Sequence, residues 1–369
     1  MKKFWVTRPF GWRARPAIAL ACLLFTNFAF AQHYVQNNLV ADVSGNATNT
    51  DANLVNPWGL ARSASSFWWA ANNGSGTSTL YDAAGTAQAL VVTIPPPKGS
   101  TAPATPTGAV FNGTSDFALA PMKPALFLFA TEDGTISGWN PGVSLNSAQL
   151  VVDKSKKHAI YKGITISEFH GAHYLYVTNF HEGRVEVYDT YFHRVKLSEK
   201  AFEDYRIPHG YAPFNIQAVG KNIFVTYAKQ DEDKEDDAPG PGFGFVDVYG
   251  PTGKLRARLE HGPWLNAPWA VAMAPSEFGE FSHSLLIGNF GSGQIAAYNP
   301  VTGRFRGLMK NPDGSTLSID GLWALGFGNN ANAGPETTLF FSAGPNDEAD
   351  GLFGTLTPVT AELNEEDEP

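Results

Sequence analysis

The residues best able to do chemistry lie in the carboxylate-rich loops. Asn346-Asp347-Glu348-Ala349-Asp350-Gly351 sets three carboxylates within four positions. Hard cations take several oxygens from one tight loop, so Asp347, Glu348 and Asp350 form a candidate metal site, with Ca2+ the one cofactor suggested. The run Asp231-Glu232-Asp233-Lys234-Glu235-Asp236-Asp237 invites the same reading. It departs from a calcium-binding EF-hand loop, because Asp236 stands where Gly is required and Gly242 where the bidentate Glu should be. With Gly and Pro following, it reads as a solvated insertion. Thr131-Glu132-Asp133-Gly134 pairs two carboxylates, which a type I turn explains as well. His181-Glu182 lacks the second histidine of a zinc helix motif, and Asn73 breaks the approach to a nucleophile elbow at Gly74-Ser75-Gly76. No local motif specifies catalysis; a site gathered from separate units of a repeat would leave no such signature.

The elements that must position these loops are strands. Gly (37) and Pro (25) are abundant, and short alternating apolar runs between turn residues replace helical periodicity. The stretch from Asn53 to Asp82 gives the template: Pro-Trp-Gly-Leu-Ala, a short apolar strand ending in Asn, Gly-x-Gly, and a strand closing on Tyr-Asp. It returns in weaker form five times. The six units begin near Asn53, Gly108, Ala159, Ala212, Ala267 and Gly321, each with about four strands. A four-stranded unit cannot bury both faces alone, and six stacked radially bury one another's, so the expected fold is an all-β, six-bladed β-propeller. The sixth unit is short of a strand. His33 to Val40 is an orphan strand expected to close the ring as the outer strand of the last blade.

This arrangement puts two sets of residues on one face, around the central channel. The starts of the innermost strands bring Asn56, Trp58, Asn215, Trp269, Asp320 and Trp323; the loops after the second strands bring Glu132, Asp133, Asn179 and Asn289. These ten are the candidate ligand-binding residues. The tryptophans either line an aromatic mouth that stacks a sugar or other planar ligand, or cap the inner ends of the blades. Asn after a second strand serves equally as a turn former.

Residues 1–31 read as a Sec-type signal peptide. Lys2, Lys3, Arg8, Arg13 and Arg15 form a basic start without acidic residues, and the apolar run Ala17 to Ala31 ends on Ala29-Phe30-Ala31. Cleavage removes Cys22, the single cysteine, so a core of roughly 340 residues must hold without disulfides. It also takes five of the 26 basic residues, leaving 21 against 35 acidic ones and a net charge of −14. Such acidity argues against nucleic acid or anionic lipid as partner. With no later apolar segment, no membrane anchor is expected in the mature chain. The expected organisation is a signal at 1–31, a propeller at 32–360 and an acidic tail at 361–369, in a periplasmic or extracellular monomer.

The Pro-x-Gly-Leu-Ala starts and the Val-x-Val-Tyr-Asp close at 185–189 resemble NHL-type propeller repeats. More specifically, Asn56-Pro57-Trp58-Gly59-Leu60, the run Asn73 to Asp82, Thr131 to Ile136 and Asn346 to Gly354 resemble an uncharacterised family of exported bacterial single-domain propeller proteins. The resemblance implies fold and export, and no activity. Repeats without a catalytic motif suggest a non-catalytic module that binds a small molecule, a carbohydrate or an envelope protein at the channel mouth. The alternative is a Ca2+-type hydrolase, lactonase or lyase using the same face.

Overall fold

The computed structural model describes residues 33–359; the signal peptide and acidic tail expected from the sequence lie outside the described residues. Six sheets, antiparallel except where the short Asn49–Thr50 strand runs parallel to Tyr34–Ala41, form the six blades of a β-propeller. Blade one comprises Pro57–Ala61, Trp68–Asn72, Thr77–Tyr81 and Ala87–Thr93. Blades two, four and five repeat this four-stranded order, with innermost strands Pro106–Phe111, Tyr211–Val219 and Pro268–Met273. Blade three is the exception. After Tyr161–Phe169, Ala172–Asn179 and Arg184–Tyr188, the next segment makes only a single bridge, Tyr188 to Arg194, so the expected fourth strand is not built.

The ring closes as the sequence suggests. Tyr34–Ala41 pairs antiparallel with Leu352–Pro358, outside Leu339–Ala343 and the innermost Leu322–Phe327 of blade six. Tyr34 also ties this strand to blade five: its hydroxyl donates to Phe278 O at 3.1 Å and its ring stacks against Phe281. The aromatic residues that end the third strands, Tyr81, Tyr188, Tyr249 and Tyr298, are fully buried, as packing between blades requires.

Two features govern the centre. Every innermost strand slips register against its neighbour just after its start, between Pro57 and Leu60 in blade one and between Tyr161 and Ile164 in blade three. The same slip occurs in blades two, four, five and six. A bulge bends a strand and re-aims the side chain within it, here towards the channel. The strands are also in contact: a Cβ on Gly163 would lie 2.2 Å from Asn215 Oδ1, so only glycine lets blades three and four approach this closely. Hydrogen bonds join the ring across blades, from Thr107 Oγ1 to Tyr161 O, from Asn215 Nδ2 to Trp269 O and from Ser342 Oγ to Trp58 O.

Deleting residues 32–40 removes nearly all of the closing strand, and with it the buried side chains of Tyr34 and Val40, each worth about 1.5–3 kcal/mol. Thermal unfolding of the truncated protein should fall by roughly 10 °C or more; an unchanged melting curve would refute this closure.

Candidate functional site

The six bulges place six side chains around the channel mouth: Trp58, Thr107, Lys162, Phe214, Trp269 and Trp323. Four are aromatic and pack on one another. Trp58 and Trp323 stack with ring centroids 3.5 Å apart, and Trp269 meets both edge-on. A second ring follows the second strands, each member donating its backbone N–H to the start of its own blade. It contains Asn73, Glu132, Phe180, Gln230, Phe290 and Gly344. Phe290 stacks on Trp323 at 3.9 Å, and Phe180 lies against Phe214. The rings plug the channel, with Trp58, Trp269 and Trp323 all buried and their faces against other side chains.

Against this aromatic pattern, Lys162 stands in a tryptophan slot and Glu132 in a phenylalanine slot. They pair. The Lys162 side chain has no exposed surface, and its Nζ donates to Glu132 Oε1 and to Asp236 Oδ1, the latter at 2.8 Å. Its ammonium also lies 4.8 Å from the Trp58 ring centroid, a cation–π contact that aids a charge removed from water. Burial alone would push the Lys162 pKa down; Glu132 and Asp236 outweigh it and keep the group charged, above the ordinary lysine value.

More carboxylates converge than one ammonium can neutralise. Glu132 Oε2 accepts from Asn73 Nδ2 at 2.7 Å. Blade six brings Glu348, whose Oε2 accepts from Asn56 Nδ2 at 2.6 Å, while Asn56 Oδ1 accepts from Trp323 Nε1. Glu348 arrives on three successive left-handed residues, Asn346, Asp347 and Glu348 (φ 59°, 52° and 65°). The second-ring position of that blade is Gly344, where a Cβ would sit 2.1 Å from Asn56 Oδ1. Asp237 Oδ2 is buried without a partner. Burial first, then the charges of Asp236 and Glu348, push the Asp237 carboxyl up to about 7 despite Lys162. Glu348 is raised too, by burial and the nearby Glu132, against the Asn56 hydrogen bond. A cavity of about 390 Å³ opens beside the cluster, lined by Glu132, Asp133, Asp236, His158 and His181; His181 Nδ1 is buried and unpartnered.

Asn56, Trp58, Glu132, Trp323 and Glu348 thus come together around Lys162. Other sequence candidates serve the scaffold. Asn179 donates to Glu186, Asn215 to Trp269 O and Asn289 to Gln294 O. Asp133 accepts from Thr105, and Asp320 from Asn346 N. Asp347 is exposed, and Asp350 accepts from Asn346 at 3.4 Å. Among the described residues no three His, Cys, Asp or Glu side chains are grouped as metal ligands. The run 231–237 is largely the exposed insertion expected: residues 232–236 are exposed, Asp236 still reaches Lys162 from the surface, and only Asp237 buries a carboxylate oxygen. Lys162 was missed, although aligning Tyr161-Lys162-Gly163 with Pro57-Trp58-Gly59 reveals it.

The chain is therefore a six-bladed β-propeller with a plugged channel and a charged mouth. It is 32% identical to uncharacterized protein R648 of Acanthamoeba polyphaga mimivirus over 332 residues, covering 87% of this chain and 79% of that protein. Uncharacterized protein L690 of the same virus is 30% identical over 334 residues, with 87% and 84% covered. The chain belongs to the family of these proteins. No model of a known protein family matches it. Among solved structures, a streptogramin B lyase aligns with TM-score 0.51 and 12% identity, over 89% of this chain and 98% of the lyase. A Bacteroides thetaiotaomicron protein of unknown function aligns with TM-score 0.53 and 8% identity, over 89% and 76%. At these identities the likeness is one of fold alone.

The pairing predicts a strong double-mutant coupling. Lys162→Met leaves Glu132 and Asp236 without their cation, and Glu132→Leu leaves the buried ammonium short of an anion. Each should destabilise by about 2–4 kcal/mol, and the double variant, closer to the apolar filling of the other blades, by less than the sum. Additive losses in urea unfolding would rule out the pairing.

Proposed function

We propose that this is a ligand-binding propeller whose mouth takes a small ligand through positive charge, an organic ammonium group first; Ca2+ is the alternative cation, although no three carboxylates among the described residues are grouped as its ligands. One observation carries the reading. Glu132, Asp236, Asp237 and Glu348 set four carboxylates about the single ammonium of Lys162, and an Asp237 oxygen is buried with no partner. Two of these acids have raised pKa values, from burial first and then in part from their neighbours' charge. A bound cation would relieve that repulsion, and the adjoining cavity leaves room for the rest of a small molecule.

A second reading has one observation in its favour. An Asp237 carboxyl near 7 beside a charged lysine has the protonation balance of a general acid or base, as a hydrolase, lactonase or lyase would need. We also take the protein to be exported to the periplasm or exterior, on the support of the basic start and apolar run in residues 1–31. Among the described residues no helix is long and apolar enough to cross a membrane.

Calorimetry with ethylamine hydrochloride and with calcium chloride tests the binding reading. Because a cation favours ionised Asp237, binding should be tighter at pH 8 than at pH 6 and should release up to one proton near pH 6–7. Asp237→Asn should abolish the proton release and weaken binding about tenfold. If neither probe binds, the cation reading fails.

A further inference from the structure

The innermost strands end on the face opposite the mouth, around a cavity of about 410 Å³. Apolar side chains line part of its wall, Val110, Phe111, Val219, Met273, Leu325 and Phe327, although more of the exposed lining surface is polar than apolar. Met273 is 37% exposed although every other residue of its strand is buried. Further in, the channel narrows to about 30 Å³ beside Gly59, Gly108 and Trp269, space for little more than one water. The aromatic plug lies beyond, so this cavity is separate from the mouth.

Two polar side chains enter this wall. Arg62 is half-buried, and its Nε donates to Phe327 O at 2.5 Å. Its guanidinium lies 5.6 Å from the Trp68 ring centroid, and Trp68 is itself fixed by Nε1 donating to Ala333 O. The Nε bond and the indole face hold the fork in one orientation. Neither terminal nitrogen of Arg62 has a hydrogen-bond partner, and no carboxylate lies within ion-pair distance, among the described residues. Gln217, the other polar side chain, likewise has no side-chain hydrogen bond among them. The one acid whose field reaches Arg62 is the exposed Glu336, and burial lowers the guanidinium's pKa further than Glu336 raises it.

We propose that this opposite end of the channel is a second binding site, for a small organic carboxylate with an apolar body. The two free amino groups of a guanidinium match the two oxygens of a carboxylate, and the charge-assisted pair they form is directional. Gln217 adds a hydrogen bond, and the aliphatic or aromatic body lies along Phe111, Val219, Met273 and Phe327. In a chain of net charge −9, an oriented and unpaired arginine in a cavity with an apolar patch beside it selects anions against the general field. The inference stands apart from the cation reading of the mouth, since the sites share no side chain and take opposite charges.

The test is calorimetric titration of the full chain with sodium hexanoate, hexylamine hydrochloride and 1-hexanol at equal concentrations. Hexanoate should bind more tightly than hexanol, and hexylamine should not bind at this end. Arg62→Gln should weaken hexanoate at least tenfold while leaving the melting temperature and the mouth's response to ethylamine or Ca2+ unchanged. Arg62→Lys should restore part of the affinity, and Met273→Glu, an acid on the rim, should lower it again. Equal binding of hexanoate and hexanol, or undiminished hexanoate binding by Arg62→Gln, overturns the proposal. Should Arg62→Gln unfold, the Met273→Glu titration decides alone, with unchanged affinity counting against the site.

Discussion

A lysine ammonium with no exposed surface, held inside a plug of tryptophan and phenylalanine, is the constraint on which the mouth depends. Taking such a charge out of water costs several kcal/mol unless anions and aromatic faces replace the lost hydration. Glu132, Asp236 and the Trp58 ring provide that replacement. Three separate parts of the chain are thereby committed to one point: the bulge of blade three, the loop of blade two and the insertion of blade four.

The same constraint explains the imbalance that makes the site interesting. Holding the ammonium takes two carboxylates, and the geometry that brings them also brings Asp237 and Glu348 into a shared field. The cluster therefore carries more negative charge than its single cation answers. Structural ion pairs elsewhere are better balanced: Glu186 lies among Arg184, Arg194 and two tyrosine hydroxyls, and Asp204 and Asp247 share Arg258, with Arg206 on Asp204. The mouth differs from these in having acids to spare and a cavity beside them.

Much of the architecture was legible in the sequence because blade packing repeats its needs. Pro-Trp-Gly starts and aromatic closes mark places where every blade must fill the same space, and the orphan strand near His33 was readable because blade six lacked a partner for it. The site was legible only in part, for the opposite reason: it lies where the repeat is broken. Asn179 and Asn289 looked like ligands by position yet are spent on their own turns. Lys162 drew no notice in the sequence because the bulge that aims it inward is a backbone feature with no residue signature beyond the glycine after it. Asp237, with its buried carboxylate oxygen, ends an acidic run whose residues 232–236 are exposed, so composition pointed to solvent.

The central claim is that the mouth holds acids awaiting a cation, and carbon-13 NMR titration of the side-chain carboxyls tests it most directly. With Asp237→Asn used to assign the signal, the Asp237 carboxyl should titrate near 7 in the free protein and move down when calcium chloride or ethylamine hydrochloride is added. A carboxyl titrating near the ordinary aspartate value of about 4, and unmoved by either cation, would contradict the account.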